Sequence, residues 1–162
     1  MKITILAVGK MKERYFSDAT AEYLNRIANY AEITLHEIAD ESVKDKPSNG
    51  EIEVAKKKEG ERIKQRLSNA SLNKACLVAL SPNGQQFTSE ALAAFMQTQA
   101  DIARRLVFII GGTHGLSDEI LEMCHTKLSF SKMTFPHRLF RVMLCEQIFR
   151  ACKINKNEPY HK

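Results

Sequence analysis

The chain has 162 residues, 44% of them hydrophobic and 27% charged. That is enough chain to bury one core, and it is too apolar to be disordered. No apolar run reaches the roughly 20 residues of a membrane helix, and the apolar start of MKITILAVGK is too short for a secretory signal, so a cytoplasmic location is expected. The net charge of +5 is concentrated late: from Thr126 to Lys162 eight Lys and Arg face only Glu146 and Glu158, giving +6, while the first 125 residues sum to −1. Such a patch attracts phosphate backbones whatever their sequence.

In chain order, residues 2–9 (KITILAVG) read as a β-rich strand closed by Gly9. Residues 14–29 place Phe16, Ala19, Tyr23, Leu24 and Ile27 near helical spacing. Residues 32–38 (EITLHEI) alternate as a strand, and residues 39–50, with Pro47, Asn49 and Gly50, read as a loop. Residues 51–68 form a charge-rich helix whose Lys56-Lys57-Lys58 run is interleaved with glutamates, as on a solvated face. Residues 75–80 (ACLVAL) form a continuous apolar run, as in a buried parallel strand. Residues 81–84 (SPNG) have turn chemistry, and Thr88 or Ser89 caps a helix to about Ala100.

Residues 106–110 (LVFII) are a further buried strand, followed by Gly111-Gly112-Thr113-His114-Gly115. Ser117 caps a short helix with Asp118 and Glu119 in its first turn, where negative charge suits the helix dipole. Residues 126–130 make a brief strand, and Pro136 opens a last helix that runs to about Ile154. A polar tail, NKNEPYHK, ends the chain and by composition alone would be disordered. Strands and helices alternate throughout, which predicts one three-layer α/β domain on a mostly parallel sheet. The four cysteines lack metal or redox spacing and read as small buried hydrophobes, and no metal site is expected.

Parallel sheets bind ligands beyond the carboxyl ends of their strands. Three loops qualify: residues 81–87, 111–116 and 130–136. The glycines at 111, 112 and 115 allow close approach to backbone, but the string is neither G-x-G-x-x-G nor a Walker sequence. The last helix is apolar on more than one side, which fits either a core helix or one that meets a partner subunit. It also carries Arg138, Arg141 and Arg150. Buried arginines need anionic partners, and Glu146 at i−4 serves Arg150. The tail places a stacking ring, Tyr160, beside a titratable group, His161, and a cation, Lys162.

The segment SFSKMTFPHRLFRVMLCEQIFRACKI followed by EPYHK resembles the signature of the RlmH family of large-subunit ribosomal RNA methyltransferases. IIGGTHGL, VALSPNGQQFTSEALA and KITILAVGKMKERYF resemble the family's other blocks, so the resemblance spans residues 1–162. Ser81, Phe149 and Lys162 depart from residues frequent in the family. The resemblance implies a SPOUT fold with a C-terminal trefoil knot, a homodimer, S-adenosyl-L-methionine as cofactor, and N3-methylation of a pseudouridine in a hairpin loop of large-subunit rRNA in the assembled ribosome. By position, it implies a cofactor pocket of Leu80, Gly111, Phe130, Ser131, Lys132, Met133, Thr134 and Phe135.

For the chemistry, His137 or His161 is expected to assist removal of the N3 proton, Arg141 or Arg150 to stabilise the resulting charge, and Tyr160 to orient the base. The same arginines read equally well as interface ion pairs. Two other classes stay open at this stage: a Rossmann-type nucleotide-dependent oxidoreductase and a non-enzymatic RNA-binding module.

Overall fold

The computed structural model describes residues 1–162 except 69–71, 73, 103 and 162; Lys162, the cation expected at the end of the tail, lies outside the described residues. Among the described residues ten elements alternate. They are β1 (Lys2–Val8), α1 (Arg14–Ile27), β2 (Glu32–Ile38), α2 (Asn49–Leu67), β3 (Cys76–Gln86), α3 (Ser89–Asp101), β4 (Leu106–Ile110), α4 (Asp118–Met123), β5 (Thr126–Ser129) and α5 (His137–Asn155). Every strand pair is parallel, in the order β2-β1-β4-β3-β5.

The period-2 geometry of the strands sorts their side chains into two cores. Leu106, Phe108 and Ile110 of β4 join Ile3, Ile5 and Ala7 of β1 on the face covered by α1, α3 and α5. Val107 and Ile109, with Leu6 and Val8, face α2 and α4 through Ile63, Leu67 and Ile120. The α/β three-layer reading therefore holds, with a sheet that is parallel throughout.

The caps follow the sequence closely. Thr88 and Ser117 accept from the amides of Ala91 and Ile120, and Ser48 with Glu51 closes a reciprocal capping box. Pro136, expected at the first helical position, instead holds the N-cap position with ψ 131°.

Residues 81–84, read as a turn, lie inside β3. The pairing of β3 with β5 jumps from Leu80 to Gln85, both opposite Leu128, so the chain bulges between them. A Cβ on Gly84 would lie 2.6 Å from the backbone of Lys127, so glycine lets the two strands pair. Cys76, Cys145 and Cys152 are buried and all four thiols are free; burial pushes Cys145 up to about 12. Among the described residues no helix is long and apolar enough to cross a membrane.

Candidate active site

The carboxyl ends of β3, β4 and β5 converge on one cavity of about 140 Å³. Leu80, Ser81 and Pro82 line it from β3, Gly111 to Thr113 and Gly115 from the loop after β4, and Phe130, Ser131, Met133, Thr134 and Phe135 from the loop after β5. Of the eight residues expected in the cofactor pocket, seven are on this wall; Lys132 is exposed and does not line it. Met133 stands 71% exposed although it is apolar and lines the cavity.

The glycine loop owes its shape to two different constraints. The Cβ of any other residue at 111 would lie 2.5 Å from the carbonyl carbon of Gly115, so the turn closes only over glycine. Gly115 has φ +80°, a left-handed conformation that favours glycine, and its amide donates to the Gly112 carbonyl at 3.1 Å. Beyond β5, Met133 N donates to Ser131 Oγ at 3.0 Å, and Phe130 packs on Phe140 with ring centroids 4.7 Å apart. The first contact braces the loop on itself and the second ties it to α5.

The five catalytic candidates divide into two groups. His137, the first residue of α5, lines the cavity. Burial, then Arg141 and Arg138, pushes its imidazole below the ordinary histidine value of 6.5. One turn on, Arg141 has 0% exposure. Its guanidinium donates to Glu37 Oε1 and Val8 O at 2.9 Å and to Gly9 O at 2.5 Å. This residue buttresses the carboxyl ends of β1 and β2 from behind, so it has no open path to a ligand.

Arg150, Tyr160 and His161 form the second group, with Arg150 thirteen residues beyond His137, about 20 Å along the helix. Arg150 donates to Glu146 Oε1 at 2.5 Å, and its guanidinium lies 4.7 Å over the Tyr160 ring. His161 Nε2 meets Glu90 Oε1 at 2.7 Å, helping to draw that carboxyl down to about 2 after its backbone and Thr88 hydrogen bonds. Burial, then hydrogen bonding to Tyr23, pushes the Tyr160 phenol up to about 12.

The tail is thus docked where composition suggested disorder. Glu158 is held by Tyr30 Oη at 2.6 Å and Lys153 Nζ at 2.5 Å. The expected late-chain basic patch is also partly paired within the chain. Arg138 pairs with Glu13, Arg141 with Glu37, Arg150 with Glu146 and Lys153 with Glu158. Glu13 and Glu37 come from distant sequence, which a local charge count does not see; Glu146 and Glu158 were already in that count.

His137 makes a prediction about pH. Because its folded pKa is depressed, the unfolded chain takes up the proton first, and the stability contributed by neutral His137 is full above about 6.5 and declines below it. In denaturant titrations between pH 7 and 5, the wild-type chain should lose more stability than His137→Gln. Equal losses would remove the buried neutral imidazole from the account.

Among the described residues no group of His, Cys, Asp or Glu could hold a metal ion. What the cavity offers is apolar and aromatic walls, hydroxyls and strand-end backbone, with no Asp, Glu, Lys or Arg lining it among the described residues. Such a lining neither repels nor traps a sulfonium, and it matches the amphiphilic character of an adenosyl thioether.

The family model described as "Predicted SPOUT methyltransferase" matches residues 1–161, and the chain belongs to this family of methyltransferases. Over its full length and theirs, the chain is 46% identical to a protein of Carboxydothermus hydrogenoformans and 43% identical to one of Clostridium acetobutylicum. Each is named "Ribosomal RNA large subunit methyltransferase H". In fold it is similar to a probable methylase family protein from Haemophilus influenzae, with a TM-score of 0.52 at 12% identity, covering 99% of this chain and 70% of that one. The oxidoreductase alternative does not survive the family assignment.

Proposed function

We propose that this chain is a single-domain S-adenosylmethionine-dependent methyltransferase of large-subunit ribosomal RNA. It acts in the cytoplasm as a homodimer on N3 of a pseudouridine in the assembled ribosome, and its C-terminal segment is threaded as a trefoil knot. The substrate is taken from the names of its relatives and from the resemblance of its C-terminal block to the RlmH family. The observation that carries the reading is the single cavity shared by Leu80, Gly111, Phe130, Ser131 and Met133 to Phe135, because three chain-distant loops meet there on an uncharged wall.

When bound, S-adenosylmethionine supplies an electrophilic methyl group on a sulfonium. Leu80, the glycine loop, Met133 and Phe135 would hold it and exclude water. Methylation at N3 requires loss of the N3 proton. His137, held neutral, accepts it from within the same chain. Arg141 acts as a positioning residue through Gly9 and Val8.

Arg150, Tyr160 and His161 act from the other end of α5. Val142 and Met143 line a half-exposed apolar groove beside them with Tyr23, Phe87 and Leu92. A second copy seated on that groove brings its own tail toward the first copy's cavity. The decisive measurement is mass spectrometry of rRNA nucleosides from cells with and without this gene, which should lose one methylated pseudouridine; unchanged nucleosides would end the reading. Removal of residues 158–162 should leave cofactor affinity within about twofold and lower turnover on ribosomes at least tenfold. Full turnover would refute the part given to the tail.

A further inference from the structure

The loop that leaves β1 is anchored at every second residue. The Gly9 amide donates to Ile38 O at 2.8 Å, and its carbonyl accepts from Arg141. The Met11 amide donates to Glu37 Oε1 at 2.7 Å. The Glu13 carboxylate is taken by Arg138 of α5.

The residues between these anchors are exposed. Lys10 and Lys12 both face solvent, and among the described residues neither has a carboxylate within 4 Å. Directly after them α1 opens with Arg14 and Tyr15. Arg14 lies 3.5 Å from Asp18, but side chains 94% and 68% exposed hold each other only weakly. Tyr15 is 66% exposed, and half-buried Phe16 backs its ring with centroids 4.4 Å apart.

We propose that Lys10, Lys12 and Tyr15 form a grip for unpaired RNA flanking the methylated nucleotide; the proposal rests on the ribosomal RNA methyltransferase reading above. The Tyr15 ring stacks on a neighbouring base, and the two ammonium groups meet the adjoining phosphodiesters. One exposed tyrosine is ordinary on a protein surface. Here it stands within five residues of two unpaired cations, on a loop whose backbone is fixed beforehand. A loop of RNA offers unstacked bases and phosphates together, so it uses both parts. An acidic protein face would satisfy the lysines and leave the ring without a partner.

Two further features support the grip. A surface held in place before its ligand arrives loses little freedom on binding. The loop also starts beside the chemistry: a Cβ built on Gly9 would lie 3.5 Å from His137 Nε2, and His137 lines the donor cavity. Lys10 is the next residue along, so RNA held here passes the proposed proton acceptor.

Tyr15→Ala, Tyr15→Trp and the double variant Lys10→Gln/Lys12→Gln test this against wild type. The readouts are calorimetry with S-adenosylmethionine, steady-state methyl transfer to ribosomes lacking the modification, and ribosome binding across a range of salt. Tyr15→Ala should raise KM for ribosomes about tenfold, as expected for one lost stacked base. Its donor affinity and urea midpoint should match wild type. Tyr15→Trp should stay within about twofold of wild type, because stacking needs a ring and not the hydroxyl. The double variant should weaken ribosome binding and make the slope of log affinity against log salt shallower by about 1–2. An alanine variant with wild-type KM, a tryptophan variant as impaired as alanine, or a double variant with the wild-type salt slope overturns the grip. So does an alanine variant whose mass in light scattering falls to that of one chain, since the ring would then be a subunit contact. These failures show only in the variants. Wild type that transfers no methyl group to ribosomes sinks the methyltransferase reading itself.

Discussion

Replacing Gly111 by alanine should abolish measurable S-adenosylmethionine binding in calorimetry while the far-ultraviolet circular dichroism stays that of the wild type. The added methyl carbon would sit 2.5 Å from Gly115 C, 2.7 Å from Gly115 O and 2.8 Å from Leu116 N. All three are backbone atoms, so no side-chain rotation relieves the clash, and the turn from Gly112 to Gly115 has to open. Opening displaces Gly112, Thr113 and Gly115 together, and all three are walls of the cavity. The overpacking should also cost about 1–3 kcal/mol of stability.

Gly115→Ala provides the contrast. Nothing lies within 4 Å of its built Cβ, and only the φ of +80° is strained, so it should weaken binding without removing it. If Gly111→Ala bound the cofactor as tightly as wild type, this loop would not be a wall of the donor site.

What could be read from the sequence, and what could not, follows from the range of the interactions concerned. The continuous apolar runs at 76–80 and 106–110 announced central parallel strands, because a strand covered on both faces has no polar side to show. Ser117 and Thr88 announced helix starts because capping acts within three residues. The bulge at 81–84 was hidden, since its four residues carry genuine turn chemistry and only β5 shows that the strand resumes beyond them. The docked tail was hidden too: Glu158 looks solvated until Tyr30, 128 residues away, is placed beside it.

The site shows the same division. The glycines and the 130–135 loop stood out because they follow strands at their carboxyl ends and because the resemblance to the family covers them. Glu37 did not, although it lies near the end of a strand that the carboxyl-end rule covers as well as it covers β3, β4 and β5.

Arg141→Met should lower the unfolding free energy by about 2–5 kcal/mol, read from urea midpoints, because it leaves two buried carbonyls without a donor. The side chain is wholly buried and ties α5 to two strands through three acceptors at once. Methionine fills much of the volume but donates nothing. The buried Val8 and Gly9 carbonyls then lose a charged donor, and unmet buried acceptors cost about 1–3 kcal/mol each, while Glu37 is exposed and keeps the Met11 amide. Arg141→Lys should recover only part of the loss, since one ammonium cannot span acceptors on two strands as a planar fork does. Function should fall with structure: Gly9 sits against the His137 ring, where a built Cβ would lie 3.5 Å from Nε2. Releasing the Gly9 carbonyl therefore frees the imidazole to drift, and kcat should drop more than the fraction of unfolded protein explains. A methionine variant with the wild-type urea midpoint would show that Arg141 is not what fixes α5 to the sheet. One with a lowered midpoint but wild-type kcat in its folded fraction would separate that anchor from the placement of His137.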